Sequence, residues 1–287
     1  MTAIFKKELR VAFSGLFGYI SIAILLLFAG LFTVLINLFT GSPEFSVTLS
    51  GMGLVLAVLI PFLTMRTIAE ERHSRTDKLL YSLPIKMRDV VLGKFFAMLT
   101  LFAIPTAVIG LYPLILSFFG EISLTAAYVS LLGFLLLGGA LIAICMFVSS
   151  LVESPVLAAM LSLTATLLLY FMDSIATILP TSALASFFVC VIASLGVGAL
   201  FWVVSKQVLL GLGVSTPLVL GTAIVYLIKP ELFSYLLPNF FSKVALFTQF
   251  GGFMYGYIDL SAVVLYLTTA VLFLFLTVAF MEKRRLL

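Results

Sequence analysis

The sequence predicts an all-α fold, a polytopic bundle of helices embedded in a membrane. Three observations carry that prediction. Of 287 residues, 63% are hydrophobic and 10% are charged, whereas a water-soluble domain carries roughly 25% charged residues. Mean hydropathy is +1.30. The apolar residues also form continuous Leu- and Phe-rich runs, unlike the short alternating segments of a spanning β-barrel. With 16 basic and 12 acidic residues, a soluble globule of 31.2 kDa has too few charges to face water. That argues against a soluble enzyme, a nucleic-acid-binding domain or a disordered chain. The pI of 9.1 is read instead as the basic rim of a membrane protein.

The N-terminal stretch, residues 1–17, precedes the first apolar run. Phe5, Leu9, Ala12, Phe13 and Leu16 recur at helical spacing, with Lys6, Lys7 and Arg10 on the opposite side. Such a helix lies in the interface with its rings among acyl chains. It reads equally as a topogenic anchor or as an element with a mechanical role. The basic start is followed by a run too long for the apolar region of a cleavable signal peptide.

A helix needs about 20 mostly apolar residues to cross a core about 30 Å thick. Eight runs meet that length: 18–39, 47–68, 94–118, 126–150, 155–174, 183–204, 208–228 and 260–281. Polar or turn-forming stretches separate them, among them Gly41-Ser42-Pro43-Glu44, Gly120-Glu121 and Glu153-Ser154-Pro155. With the N-terminus inside, eight crossings place 14 Lys and Arg residues on the cytoplasmic side and 2, Lys229 and Lys243, outside. Both termini are then cytoplasmic under the positive-inside rule. Cys145 and Cys190 lie inside apolar runs and read as packing residues, without a disulfide.

Charge is concentrated in the loop 66–94, which holds 7 of the 16 basic and 4 of the 12 acidic residues. Ser74-Arg75-Thr76-Asp77 fits a capping box, with Ser74 as N-cap. A short helix then runs to Pro84, presenting Leu79, Leu80 and Leu83 on one side. A helix this short is marginal alone and needs a partner surface. Segment 229–259, on the outer side, is too long for a turn and too polar to span. Phe247, Phe250, Gly251, Gly252 and Gly256 suit short re-entrant helices forming an outer gate, or an aromatic interface belt.

Mid-membrane ionisable residues, the mark of ion-coupled carriers, are missing from the spans. His73 is the sole histidine and has no cysteine partner, so a metal site is not expected. The Gly93-Lys94 pair lacks the earlier glycine of a phosphate loop, since Arg88 occupies that place. No enzymatic motif is found.

The cytoplasmic loop carries a pattern. Met65-Arg66-Thr67-Ile68-Ala69-Glu70-Glu71-Arg72, then Thr76-Asp77-Lys78-Leu79-Leu80-Tyr81-Ser82-Leu83-Pro84, then Val90-Val91-Leu92-Gly93-Lys94-Phe95 resembles the type-2 ATP-binding-cassette (ABC-2) permease family. Gly256-Tyr257-Ile258-Asp259 and Glu282-Lys283-Arg284-Arg285 resemble its gliding-motility and nitrous-oxide-reductase-maturation branch. The likeness covers 1–175 and 245–287. Arg75 stands where the family commonly has glycine, and the pair 183–228 looks like a hairpin inserted into a six-span core.

The resemblance implies a permease subunit of an ATP-driven exporter, in the cell membrane, with no ATPase of its own. ATP and Mg would belong to a soluble ATPase dimer, and a second permease subunit, identical or paralogous, would complete the pathway. Segment 74–83 would be the coupling helix. Its Leu79, Leu80 and Leu83 would seat in an ATPase groove, with Glu70, Glu71, Arg72 and Arg75 at the polar rim, Asp77 closing its capping box and Pro84 as its stop. Residues 1–17 would be the elbow helix, and 18–287 the permease domain. An apolar, Phe-rich interior suits amphipathic or hydrophobic cargo such as peptides, drugs or lipids. The alternatives are a non-transporting scaffold or signalling subunit, or an ion-coupled secondary carrier.

Overall fold

A computed structural model describes residues 1–76, 86–179, 181–205, 208–229 and 233–285. These are helical, with no strand among the described residues. Five stretches are long and apolar enough to cross a membrane: Leu16–Phe39, Gly53–His73, Met87–Leu116, Leu124–Leu151 and Leu260–Arg285. Pro155–Tyr170 with Met172–Ile178, counted as one span, makes six. That is five or six of the eight predicted crossings. The other two, 183–204 and 208–228, coincide with the helices Ala183–Ser205 and Val208–Ile228.

The chain divides into two units, Met1–Tyr170 with Leu246–Leu287 and Phe171–Ala245. The first begins with α1 (Thr2–Ser14), α2 (Leu16–Phe32), which continues as a π-helical turn (Thr33–Phe39), α3 (Phe45–Gly51), α4 (Gly53–Thr64) and α5 (Ala69–His73). It continues with α6 (Met87–Ile109), α7 (Tyr112–Leu116), α8 (Leu124–Leu151) and α9 (Pro155–Tyr170).

The predicted N-terminal helix is shorter than residues 1–17. Gly15 adopts extended backbone (φ −106°, ψ 169°), so α1 stops at Ser14 and Leu16 opens α2 instead of completing the apolar stripe. Leu16 is accordingly 77% exposed. Gly18 permits the tight reversal, since a Cβ there would lie 2.6 Å from the Ala12 carbonyl oxygen.

The core is organised around α8, against which α3, α4, α6 and α9 pack. Small residues on α8 bring its neighbours close. A Cβ on Gly138 would fall onto the Phe102 ring, and one on Gly133 would lie 2.7 Å from Phe253. Buried hydroxyls in this interior donate within the bundle, as when Thr166 Oγ1 donates to the Ala57 carbonyl at 2.6 Å. Asn37, buried near the end of the π-helical turn, accepts from Thr48 Oγ1 at 2.7 Å and donates Nδ2 to the Ser42 carbonyl at 2.8 Å. These bonds fit the rule that polar groups without access to water find internal partners.

The second unit holds α10 (Met172–Ile178), α11 (Ala183–Ser205), α12 (Val208–Ile228) and α13 (Leu236–Val244). Helices α11 and α12 pack side by side. Phe187, Tyr226 and Phe233 form a ring cluster with centroid separations of 4.7, 5.6 and 6.2 Å.

The chain then returns to the first unit through two single-turn helices, α14 (Leu246–Gln249) and α15 (Gly251–Met254), before the final α16 (Leu260–Arg285). Gly256 has φ +80° and sits against Ala126, where a Cβ would approach the neighbouring Cα to 3.2 Å. Asp259 accepts from the Ser261 amide at 2.9 Å and so caps α16. The Gly256–Asp259 motif is thus a turn followed by a helix start.

Candidate functional site: a charged knot around a single-turn helix

Helix α5 is a single turn, yet four other elements hold it. Its amide at Ala69 donates to Ser149 Oγ on α8 at 3.2 Å. Arg72 is 6% exposed, donates Nη1 to the Ser150 carbonyl, and places its guanidinium 5.8 Å from the Phe280 ring centroid on α16. Arg284 lies 5.1 Å from the same ring centroid and pairs with Glu153 at 3.6 Å.

The remaining ties are ionic. Lys94, at 1% exposure, is among the most buried side chains of the first unit. Its Nζ donates to Glu71 Oε1 at 2.9 Å, Glu8 Oε1 at 3.1 Å and the Thr67 carbonyl at 2.6 Å. Three ammonium protons thereby meet three acceptors, which meets the condition for tolerating a charge out of water. Lys7 closes the set, 3.1 Å from Glu71 and 3.6 Å from Glu8. Two ammoniums and two carboxylates join α1, α5 and α6. Burial pushes the Lys7 ammonium down, but Glu71 and Glu8 outweigh it and hold its pKa above the ordinary lysine value.

Close approach of α1 to α6 makes this geometry possible. A Cβ on Gly93 would lie 3.1 Å from both Ile4 Cβ and the Met1 carbonyl oxygen. Phe5, Leu9 and Phe13 pack onto the core beside buried Ala12, as the apolar stripe predicts. The Gly93-Lys94 pair therefore has a structural reason: glycine admits the N-terminal helix and lysine binds it.

Beyond α5 the turn departs from the predicted capping box. Ser74 closes α5 as its C-cap, with Oγ donating to the Glu70 carbonyl at 2.8 Å. The amides of Arg75 and Thr76 donate to the carbonyls of Arg72 at 3.0 Å and Glu71 at 2.9 Å, the paired bonds of a Schellman motif. Arg75 has φ +57°, the left-handed region that favours glycine. The position where the resembled family has glycine keeps that backbone here with arginine.

Of the predicted coupling residues, Glu70 and Arg75 are exposed, and Glu70 pairs with Arg66 at 3.7 Å. Glu71 and Arg72 face the bundle of their own chain, so they are not open rim residues. Asp77, Leu79, Leu80, Leu83 and Pro84 lie outside the described residues.

The predicted outer-gate residues gather at the other end of α8. Phe250 is buried, and Phe247 meets Tyr170 edge-on at 5.1 Å. Ser130 Oγ donates to the Phe253 carbonyl at 3.0 Å, and Tyr266 Oη to the Leu246 carbonyl at 2.8 Å. A Cβ on Gly252 would lie 2.8 Å from Asp259 Oδ2, whereas Gly251 has open space. These residues form a packed cap. Ser130 at the cap and Ser149 at the knot are separated by roughly 28 Å along α8 at 1.5 Å per residue, close to a hydrocarbon thickness.

The sequence reasoning missed Glu8. It stands three residues after Phe5 and four before Ala12, on the buried face of α1. A carboxylate in an apolar stripe signals a buried cationic partner.

A search of curated proteins gives no match. The sequence profile described as "ABC-2 family transporter protein" matches residues 46–208, more than half of the chain. The match takes in α5, Glu71, Arg72 and Lys94, while Glu8 and α16 lie beyond it. With a membrane-type bundle and a profile match of that extent, the chain belongs to the ABC-2 transporter family, as a multi-pass membrane permease component that implies an ABC ATPase partner.

Proposed function

We propose that the chain is the permease subunit of an ATP-driven exporter of amphipathic or hydrophobic molecules, itself without ATPase activity. Segment 74–83 docks on a soluble ATPase dimer, and a second permease subunit completes the pathway. The chain crosses the membrane eight times, with both termini in the cytoplasm of a cell whose cytoplasmic membrane it occupies. In support, Lys6, Lys7, Arg10, Lys94 and Arg284 all belong to elements that meet at the knot's end of the bundle.

The observation that carries the coupling reading is the anchorage of α5. The chain leaves α5 directly into 77–85, and α5 is fixed to α1, α6, α8 and α16 by the bonds above. A push on the loop therefore reaches four helices at once. Helix-in-groove docking through Leu79, Leu80 and Leu83 supplies the apolar contact. The test is Leu80→Glu in the reconstituted complex with its ATPase. ATP hydrolysis is expected to persist while ATP-dependent flux into liposomes is lost. Normal flux in that variant refutes the coupling assignment. Absence of flux in the unaltered complex favours a scaffold subunit instead.

A further inference from the structure

Helix α4 carries a proline, Pro61, inside its helical run. Proline has no amide hydrogen, so the Ala57 carbonyl, four residues earlier, loses the donor an ordinary helix would give it. At bilayer depth such a carbonyl needs another partner. Thr166, on the neighbouring α9, supplies one by donating Oγ1 to the Ala57 carbonyl at 2.6 Å. Ala57, Pro61 and Thr166 are all buried. The same Oγ1 stands 3.0 Å from the Ser162 carbonyl and 3.1 Å from the Leu163 carbonyl, both on its own helix. A threonine hydroxyl has a single proton, so three carbonyls compete for it. Of the three bonds, only the one to Ala57 ties α9 to α4.

Just beyond Pro61 the helix is disposed to bend. Thr64 donates its Oγ1 back along α4, 2.9 Å from the Ile60 carbonyl and 3.3 Å from the Pro61 carbonyl. Hydroxyls bonded in this way bend helices, and sharp kinks gather at proline. Helix α5, with its ties to the rest of the bundle, begins eight residues after Pro61. The two partners at the crossing differ in what release costs them. Thr166 can leave Ala57 without loss, because its own helix offers a carbonyl within reach. Ala57 without Thr166 has no donor from α4 and must find water. We propose that Pro61 is a hinge in α4 and that Thr166 is its latch. Closed, Oγ1 donates to Ala57; open, it donates to Ser162, and α4 bends about Pro61 so that water reaches the freed carbonyl. The latch does not depend on an ATPase; only its use by segment 77–85 rests on the coupling reading.

The test is hydrogen–deuterium exchange of the full chain in detergent micelles, read by mass spectrometry on peptides covering 62–67. Thr166→Val keeps the shape of the side chain and removes the donor. Exchange in 62–67 is expected to quicken roughly tenfold, the scale of leaving a buried carbonyl without a donor. Thr166→Ser keeps the hydroxyl and is expected to stay within about twofold of the unaltered chain. Pro61→Ala returns an amide to Ala57, so adding Thr166→Val to it changes exchange by about twofold or less. Peptides covering 246–254, at the other end of the bundle, keep their rate in every variant. Equal quickening by serine and valine, or a Thr166→Val effect as large in the Pro61→Ala chain as in the unaltered one, overturns the latch. Quickening that spreads equally to 246–254 makes Thr166 a general packing residue and overturns it too. A failure of Thr166→Val to fold that Pro61→Ala repairs supports the latch, and one that it does not repair counts against it.

Discussion

Replacing Lys94 with methionine keeps most of the length of the side chain and removes its charge. The ammonium lost is 1% exposed and serves Glu71 at 2.9 Å, Glu8 at 3.1 Å and the Thr67 carbonyl at 2.6 Å. Removing one partner of a buried ion pair costs about 3–5 kcal/mol, because the other charge stays buried. Here the side chains of Glu8 and Glu71 keep 11% and 17% exposure, and both retain Lys7. That places the loss at the lower end, about 3 kcal/mol. Lys7→Met is the control. Its side chain is 57% exposed, and such pairs contribute about 0–1 kcal/mol. Unfolding of each purified variant in mixed micelles, followed by circular dichroism, gives both numbers. In a cycle with Glu71→Gln, the two changes are expected to couple by at least about 1 kcal/mol. A Lys94→Met loss no larger than that of Lys7→Met, or additivity with Glu71→Gln, refutes the argument.

Two further outcomes follow from the same end of the bundle. Gly93→Val adds atoms where a Cβ already meets Ile4 and Met1 at 3.1 Å; overpacking of about 1–3 kcal/mol lifts α1, so trypsin should cut after Lys6 and Lys7 several times faster, and an unchanged rate counts against the contact. Arg75→Gly relieves a left-handed residue at φ +57° and is expected to raise stability by up to about 1 kcal/mol, whereas Arg75→Val lowers it; a glycine variant melting below the valine variant contradicts the Schellman assignment.

Much of the bundle is legible because apolar run length reports directly on crossing. The runs 126–150 and 260–281 appear as α8 and α16 nearly as read. The run 47–68 was harder: Met52 interrupts it between α3 and α4, and hydropathy does not register a backbone break between two glycines. At the site, the loop motif drew attention to the stretch that holds α5, but the resemblance it carries put Glu71 and Arg72 at a polar rim. Charge in a loop ordinarily means solvent, and nothing local distinguishes a carboxylate whose cationic partner stands 23 residues further on. Ser74 failed for a related reason. A serine immediately before a left-handed position ends one helix as readily as it begins another, and only the bonds from Arg75 and Thr76 back to α5 decide it.

The four-charge knot also imposes an order on biogenesis. Glu8 leaves the ribosome 86 residues before the lysine that neutralises it. Until that lysine emerges, the leading helix has no complete seat and must wait at the bilayer surface while two crossings insert ahead of the third. Arrival of the third crossing then locks the leader in place, so a nascent chain stalled earlier would still expose its first helix to quality-control proteases.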